Sequence, residues 1–152
     1  MSHGHGHVGH DAGDSSSKKI AIFITVIGLF LAVAETLAKG AQTNSISKNV
    51  ESSNLWSFYQ AKTIRQTAIK TAAEQMEIDV ALARDPVVKA RLEKRVADWR
   101  AEVERYQSEP PKGNSKGEGR KELMQRALAA EKERDVYTEK YHAFEIGSAA
   151  FQ

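Results

Sequence analysis

The stretch IAIFITVIGLFLAVA, residues 20–34, constrains this chain more than any other part of it. Thr25 is its only polar member, and Lys18-Lys19 stand directly before it. A helix this apolar all round has no polar face to show to water. Carried on through Glu35-Thr36-Leu37-Ala38 it reaches 19 residues, inside the range of roughly 17–25 that crosses a bilayer. The reading is a transmembrane helix over 18–39. Glu35 lies near the far end, close enough to reach the headgroups, and marks the end of the span rather than a working intramembrane carboxylate. Two other readings stay open: a cleaved signal peptide ending at the A-x-A-like Ala32-Val33-Ala34, and a buried core helix. The long polar stretch ahead of the lysines is atypical of a signal peptide.

That stretch, MSHGHGHVGHDAGDSSS, holds too little apolar surface to build a core, so residues 1–17 read as a disordered His/Gly-rich tail. His3, His5, His7 and His10 give it a possible metal role. In an extended chain the first three point the same way, and neutral imidazoles capture Zn²⁺ or Ni²⁺. Nothing in the sequence supplies a second shell for such a site.

Beyond the apolar run the chain is rich in Ala, Glu, Lys, Arg and Gln and has only three prolines, a helix-forming composition. GAQTNSISKNVESSN, residues 40–54, reads as a linker or a solvated helix leaving the membrane. Leu55, Tyr59, Ile69, Ala73, Met76, Val80 and Ala83 then keep helical spacing, with Lys62 and Gln66 in two places of the series. Asp85-Pro86 marks a kink or a new helix, because Asp caps well and Pro suits the first helical position. Val88, Leu92, Val96, Trp99, Val103 and Tyr106 form a second seam. EPPKGNSKGEG, beginning at Glu109, is the strongest breaker in the chain and reads as a helix–helix loop. Leu123, Ala127, Ala130, Arg134, Tyr137, Tyr141, Phe144, Ser148 and Phe151 make a third, heptad-like seam with Arg134 as its charged intruder.

The predicted fold is therefore all-α: an N-terminal transmembrane helix followed by a long antiparallel, coiled-coil-like hairpin. A first arm covers 40–108 with a break near 85–86, a loop covers 109–118, and a returning arm covers 119–152. The helices on either side of the loop are expected to zip together, with Trp99, Tyr137 and Tyr141 in the shared seam. Trp56, Phe58, Tyr59 and Lys62 are expected to form a contact patch. A projection at 100° per residue puts Leu55, Phe58, Tyr59, Lys62 and Gln66 in one broad sector and Trp56, Gln60 and Thr63 on the other side. If the helix runs on straight from the membrane, Trp56 stands roughly 25 Å beyond Ala38 and cannot serve an interfacial belt.

Several chemistries have no footing. Without cysteine there is no thiolate metal site, disulfide or thiol nucleophile. Net charge is only +2 and basic residues interleave with acidic ones, so no nucleic-acid partner is expected. The loop lacks the phosphate-cradling pattern of a nucleotide site. His142 has no nearby Ser or Asp to make a relay and reads as a flank of the third seam. Tyr59, Lys62 and Gln60 face different ways on one helix, which leaves no convergent catalytic group, and no enzyme activity is expected.

Trp56-Ser57-Phe58-Tyr59-Gln60-Ala61-Lys62, set after a single hydrophobic helix, resembles the bacterial domain-of-unknown-function 4337 family (DUF4337). Weaker likeness extends to the apolar helix and to Tyr141–Phe151, so the resemblance covers 18–151. It implies two membrane helices flanking a helical, water-exposed middle in a bacterial inner membrane, and it implies no activity. A second membrane helix would begin around Phe144, and the resemblance therefore implies a C-terminally shortened chain. The side of the membrane stays open, since Lys18 and Lys19 balance Lys39 and Lys48. The expected role is a membrane-anchored helical scaffold or accessory subunit that contacts the lipid bilayer and either itself, as a homo-oligomer, or a membrane protein partner. The alternative is a metal-handling membrane protein that uses the histidine tail.

Overall fold

The computed structural model describes residues 11–114 and 116–150. Its regular elements are three helices: α1 (Asp11–Leu82), α2 (Pro86–Gln107) and α3 (Arg120–Ala149). His3, His5, His7, His10 and Phe151 lie outside the described residues.

α1 is continuous over 72 residues. It is already helical from Asp11, within the stretch expected to be tail. Adding a turn to an existing helix avoids the cost of nucleation, so a neighbouring strong helix carries weak formers with it. Its residues include Gly40 and the 40–54 segment, which was expected to be a linker or a solvated helix. Hydroxyls along it are satisfied locally. Thr25 donates to the Ala21 carbonyl at 2.8 Å, Thr36 to Ala32 at 2.7 Å and Thr43 to Lys39 at 2.9 Å. Thr25, the polar member of the apolar run, is thus paired inside its own helix. A Cβ at Gly40 would meet nothing within 4 Å, while glycine inside a helix costs about 0.5–1 kcal/mol relative to alanine. Gly40→Ala is expected to raise thermal stability by that amount in detergent. A destabilised variant would show that the chain turns there.

The chain divides into two compact units. One joins α1 up to Thr43 with α3 from Tyr137 onward. It buries Ala38 and Ala41 on α1 and half-buries Tyr137, Tyr141, Phe144 and Ser148 on α3. Most of its apolar surface stays outside: Phe23 is 66% exposed, Leu29 65% and Phe30 63%. α1 is long and apolar enough to cross a membrane, and none of its most apolar window is buried within the protein.

The other unit, Asn44–Val136, is a hairpin, but its turn is not the expected one. α1 stops at Leu82, and α2 starts at Pro86 after three residues. Asp85 is extended at φ −80°, ψ 122°, as the ring of a following proline demands. Its Oδ1 caps α2 by accepting the N–H groups of Val87 at 2.8 Å and Val88 at 3.4 Å. α2 then runs back along α1. Arg100 pairs with Glu77, the Gln66 amide donates to the Val103 carbonyl at 3.0 Å, and the Lys62 ammonium stands 4.9 Å from the centre of the Tyr106 ring. After the loop, α3 continues in the same direction along α1. Arg120 meets Tyr59, Glu131 meets Trp56 and Glu133 meets Lys48.

The expected α2–α3 zipper is therefore corrected. Both helices place their seams on α1, α2 on its later part and α3 on its earlier part. The physical reason is geometric. Asp85-Pro86 reverses the chain in three residues, while the 108–119 segment joins two helices that follow one another along the same face. A 4-3 seam states which face is buried and carries no record of its partner.

Candidate functional site

The densest packing in Asn44–Val136 lies where α3 meets α1. Leu55, Leu123, Ala127 and Ala130 are buried together, with Trp56 and Tyr59 packed against them. The alanines on α3 let the helix backbones approach closely, and Ala127 is completely covered. Trp56 and Tyr59 meet edge to face, with ring centres 5.5 Å apart and planes at 81°, a favoured aromatic geometry. Residues three apart on a helix differ by only 60°, so these two rings share a side. The projection that set Trp56 against Tyr59 is corrected on that ground. Phe58 alone points away and is 61% exposed.

Polar groups lock this contact. The Trp56 indole N–H donates to Glu131 Oε1 at 2.7 Å, and the Ser52 hydroxyl donates to the same oxygen at 3.3 Å. Ser52 is itself buried, so Glu131 removes two donors that would otherwise be left without a partner. Lys48 bridges Glu133 at 2.8 Å and Glu51 at 2.9 Å. These two carboxylates raise the Lys48 ammonium above its ordinary range. Arg134, the charged member of the third seam, turns outward to Asp135 at 2.8 Å and reaches Asn49 at 3.4 Å.

A second network joins all three helices. Arg120, the first residue of α3, donates to the Tyr59 hydroxyl at 2.9 Å and to the Gln66 side-chain carbonyl. Its guanidinium also lies 4.9 Å from the centre of the Tyr59 ring. Gln66 and Gln107 complete the junction. Lys62 and Gln66, the polar places in the first seam, sit where the end of α2 and the start of α3 both abut α1.

The loop between them is fastened by Glu122. Its carboxylate accepts the Ser108 hydroxyl at 2.7 Å and the Glu109 N–H at 3.1 Å. Burial pushes the carboxyl upward, but the Ser108 and Glu109 donors outweigh it and hold Glu122 below its ordinary value. A depressed carboxyl stabilises the fold above the ordinary carboxylate range, and the contribution is lost as pH falls through the folded-state value. Below about pH 4 the wild-type chain is expected to lose helical stability more steeply than Glu122→Gln, and the variant is expected to be the weaker of the two at neutral pH. Thermal melts followed by circular dichroism across that range check both statements.

The expected site residues thus separate. Trp56, Tyr59 and Lys62 take part in contacts within the chain, and Phe58 faces outward. Trp99 lies on α2 beneath the Arg95 guanidinium, in the Asn44–Val136 unit. Tyr137 and Tyr141 belong to the other unit, so neither unit holds the three in one seam. Tyr137 pairs with Lys140, and Tyr141 contacts His142 and Glu145. His142 is exposed on the flank of the seam, its Nδ1 3.6 Å from Glu145. Among the described residues, no three His, Asp or Glu side chains gather in a group that could hold a metal ion. Glu131 and Arg120 were missed in the sequence because they look like ordinary helix-surface charges. The available signal was their place beside the Leu123–Ala127–Ala130 seam.

A half-open groove of about 460 Å³ runs beside this core, with Val50, Leu55, Phe58 and Leu123 among its lining residues.

Among the described residues the regular structure is all helical, with one helix long and apolar enough to cross a membrane and a packed hairpin in the Asn44–Val136 unit. The chain belongs to the family described as a domain of unknown function (DUF4337), whose model matches residues 16–152. No curated protein and no solved structure gives a match.

Proposed function

We propose that this protein is a membrane-anchored helical scaffold or accessory subunit, with α1 as both anchor and spine. The observation that carries the reading is the exposure of Phe23, Leu29, Phe30 and their neighbours on a helix long enough to span. Leaving that much apolar surface in water is costly at about 25 cal/mol per Å², and a bilayer removes the cost. The bacterial inner membrane is the compartment that the family resemblance suggests. The partner is a second copy or another membrane protein, met through helix faces, with the exposed Phe58 as one contact. No catalytic role is assigned. Crosslinking of the full chain in native membranes, followed by mass measurement in detergent, tests the reading. A larger assembly is expected, and a strictly monomeric chain that crosslinks to nothing contradicts it.

The metal-handling reading rests on His3, His5, His7 and His10 alone. Calorimetry with Zn²⁺ and Ni²⁺ on the full chain and on a chain lacking residues 1–17 decides it, and equal binding by the two removes it.

A further inference from the structure

The tip of the hairpin, where α1 ends and α2 begins, exposes apolar side chains. Leu82 is 73% exposed and Val87 60%, and Val88 and Ile78 are open as well. The reversal itself does not call for them. The cap needs the Asp85 carboxylate and the backbone N–H groups of Val87 and Val88, so any residue able to start a helix could stand at either valine. Three large apolar side chains within seven residues, at the end of a hairpin, form a patch rather than scattered exposure.

Cations surround the patch. Residues 82–95 hold five basic side chains against Asp85 and Glu93, in a chain whose net charge is only +2. Arg84, Lys89, Arg91 and Lys94 are exposed, and among the described residues they make no ion pair. The first turn of α2 contains no acidic residue, although the positive end of a helix favours one. Lys89 closes that turn instead, and Arg91 follows. Helix stability does not account for cations placed here.

We propose that this tip docks on the surface of an anionic bilayer, with Leu82, Val87 and Val88 entering the interface and Arg84, Lys89 and Arg91 meeting lipid phosphates. The end of a helical hairpin is convex. It offers a protein partner no groove to fill, whereas a lipid surface yields to projecting side chains. Nucleic acid would use the cations and leave the apolar side chains in water. An anionic interface takes both: it removes the apolar surface from water, and each basic residue near it strengthens binding roughly fivefold. The contact belongs to the Asn44–Val136 unit alone and is separate from the apolar run at residues 20–34.

The chain has no cysteine, so Leu82→Cys carries a single polarity-sensitive fluorophore at the tip, and Gln125→Cys carries one on α3. The labelled full-length chain, held in nanodiscs of neutral phosphatidylcholine, is titrated with vesicles of phosphatidylcholine alone or mixed with anionic phosphatidylglycerol. The Leu82→Cys label is expected to brighten and shift to the blue with the anionic vesicles only, and the Gln125→Cys label with neither. Lys89→Gln with Arg91→Gln is expected to weaken the response about 25-fold, and Val87→Ser roughly tenfold. Lys112→Gln with Lys132→Gln removes the same charge elsewhere and is expected to change it little. All the substituted side chains are exposed, and unchanged helical circular dichroism checks that the fold is kept. No response to anionic vesicles, an equal response to neutral ones, or equal losses from the two charge pairs overturns the proposal. Binding of polyglutamate at the tip without a response to lipid also overturns it and assigns the surface to an acidic protein. The anchor is judged separately. A chain that responds at the tip yet is stripped from membranes by alkaline carbonate refutes the anchor alone, and one that resists carbonate with a silent tip refutes the docking alone.

Discussion

Ala127→Glu is expected to detach α3 from α1. Ala127 has no exposed surface and lies in the cluster with Leu55, Leu123 and Ala130. A glutamate there adds bulk between two close backbones and brings a second carboxylate into a contact whose Trp56 and Ser52 donors are already held by Glu131. Burying an unpaired charge is among the few single changes that cost about 3 kcal/mol or more. Ala127→Leu adds bulk without charge and should cost about 1–3 kcal/mol, so the pair of variants separates overpacking from desolvation. Trp56 supplies the signal. In a Trp99→Phe background it is the only tryptophan, and losing its Glu131 partner exposes the indole. Denaturant titration of Trp56 fluorescence in the full-length chain should rank wild type above Ala127→Leu, and Ala127→Leu above Ala127→Glu.

The second large effect is expected at the loop. Gly119 is buried, and a Cβ on it would collide with the Glu109 nitrogen and the Glu122 carboxylate and come within 2.7 Å of the Ser108 Cα. Two of those neighbours are backbone atoms, which cannot swing aside. The Gly119 carbonyl also accepts the Leu123 N–H at 2.9 Å, the first bonds of α3. Gly119→Ala should therefore break the Glu122 clasp and fray the start of α3, at a cost of about 1–3 kcal/mol. Gly113 is the control. It has φ +58° but open space around it, so Gly113→Ala should cost only the left-handed backbone penalty of about 1 kcal/mol. Hydrogen exchange at Leu123 should accelerate strongly in Gly119→Ala and little in Gly113→Ala.

Much of this fold was legible in residue spacing. The three seams lie where Leu55–Ala83, Leu92–Tyr106 and Leu123–Ser148 put them, because burial on a helix follows the 4-3 pattern whatever the partner; Val88, the expected start of the second seam, is exposed instead. The pairing was not legible. The Pro- and Gly-rich loop looked like the point of reversal, while the real reversal uses Asp85-Pro86 and no glycine. The contact patch was half legible. Aromatic density marked residues 56–59, but Glu131, about 75 residues away in sequence, decides what Trp56 does, and local pattern cannot supply that distance.

The central claim is that α1 crosses a bilayer and holds the rest of the chain to it. The most direct measurement is alkaline carbonate extraction of membranes carrying the full-length protein. Carbonate strips proteins held at the surface and leaves those inserted through the hydrocarbon core. The chain is expected to stay with the lipid, and Leu29→Arg with Phe30→Arg, which place two charges near mid-span at roughly 2.5–3.5 kcal/mol each, to release it. Complete release of the wild-type chain into the supernatant would contradict that claim.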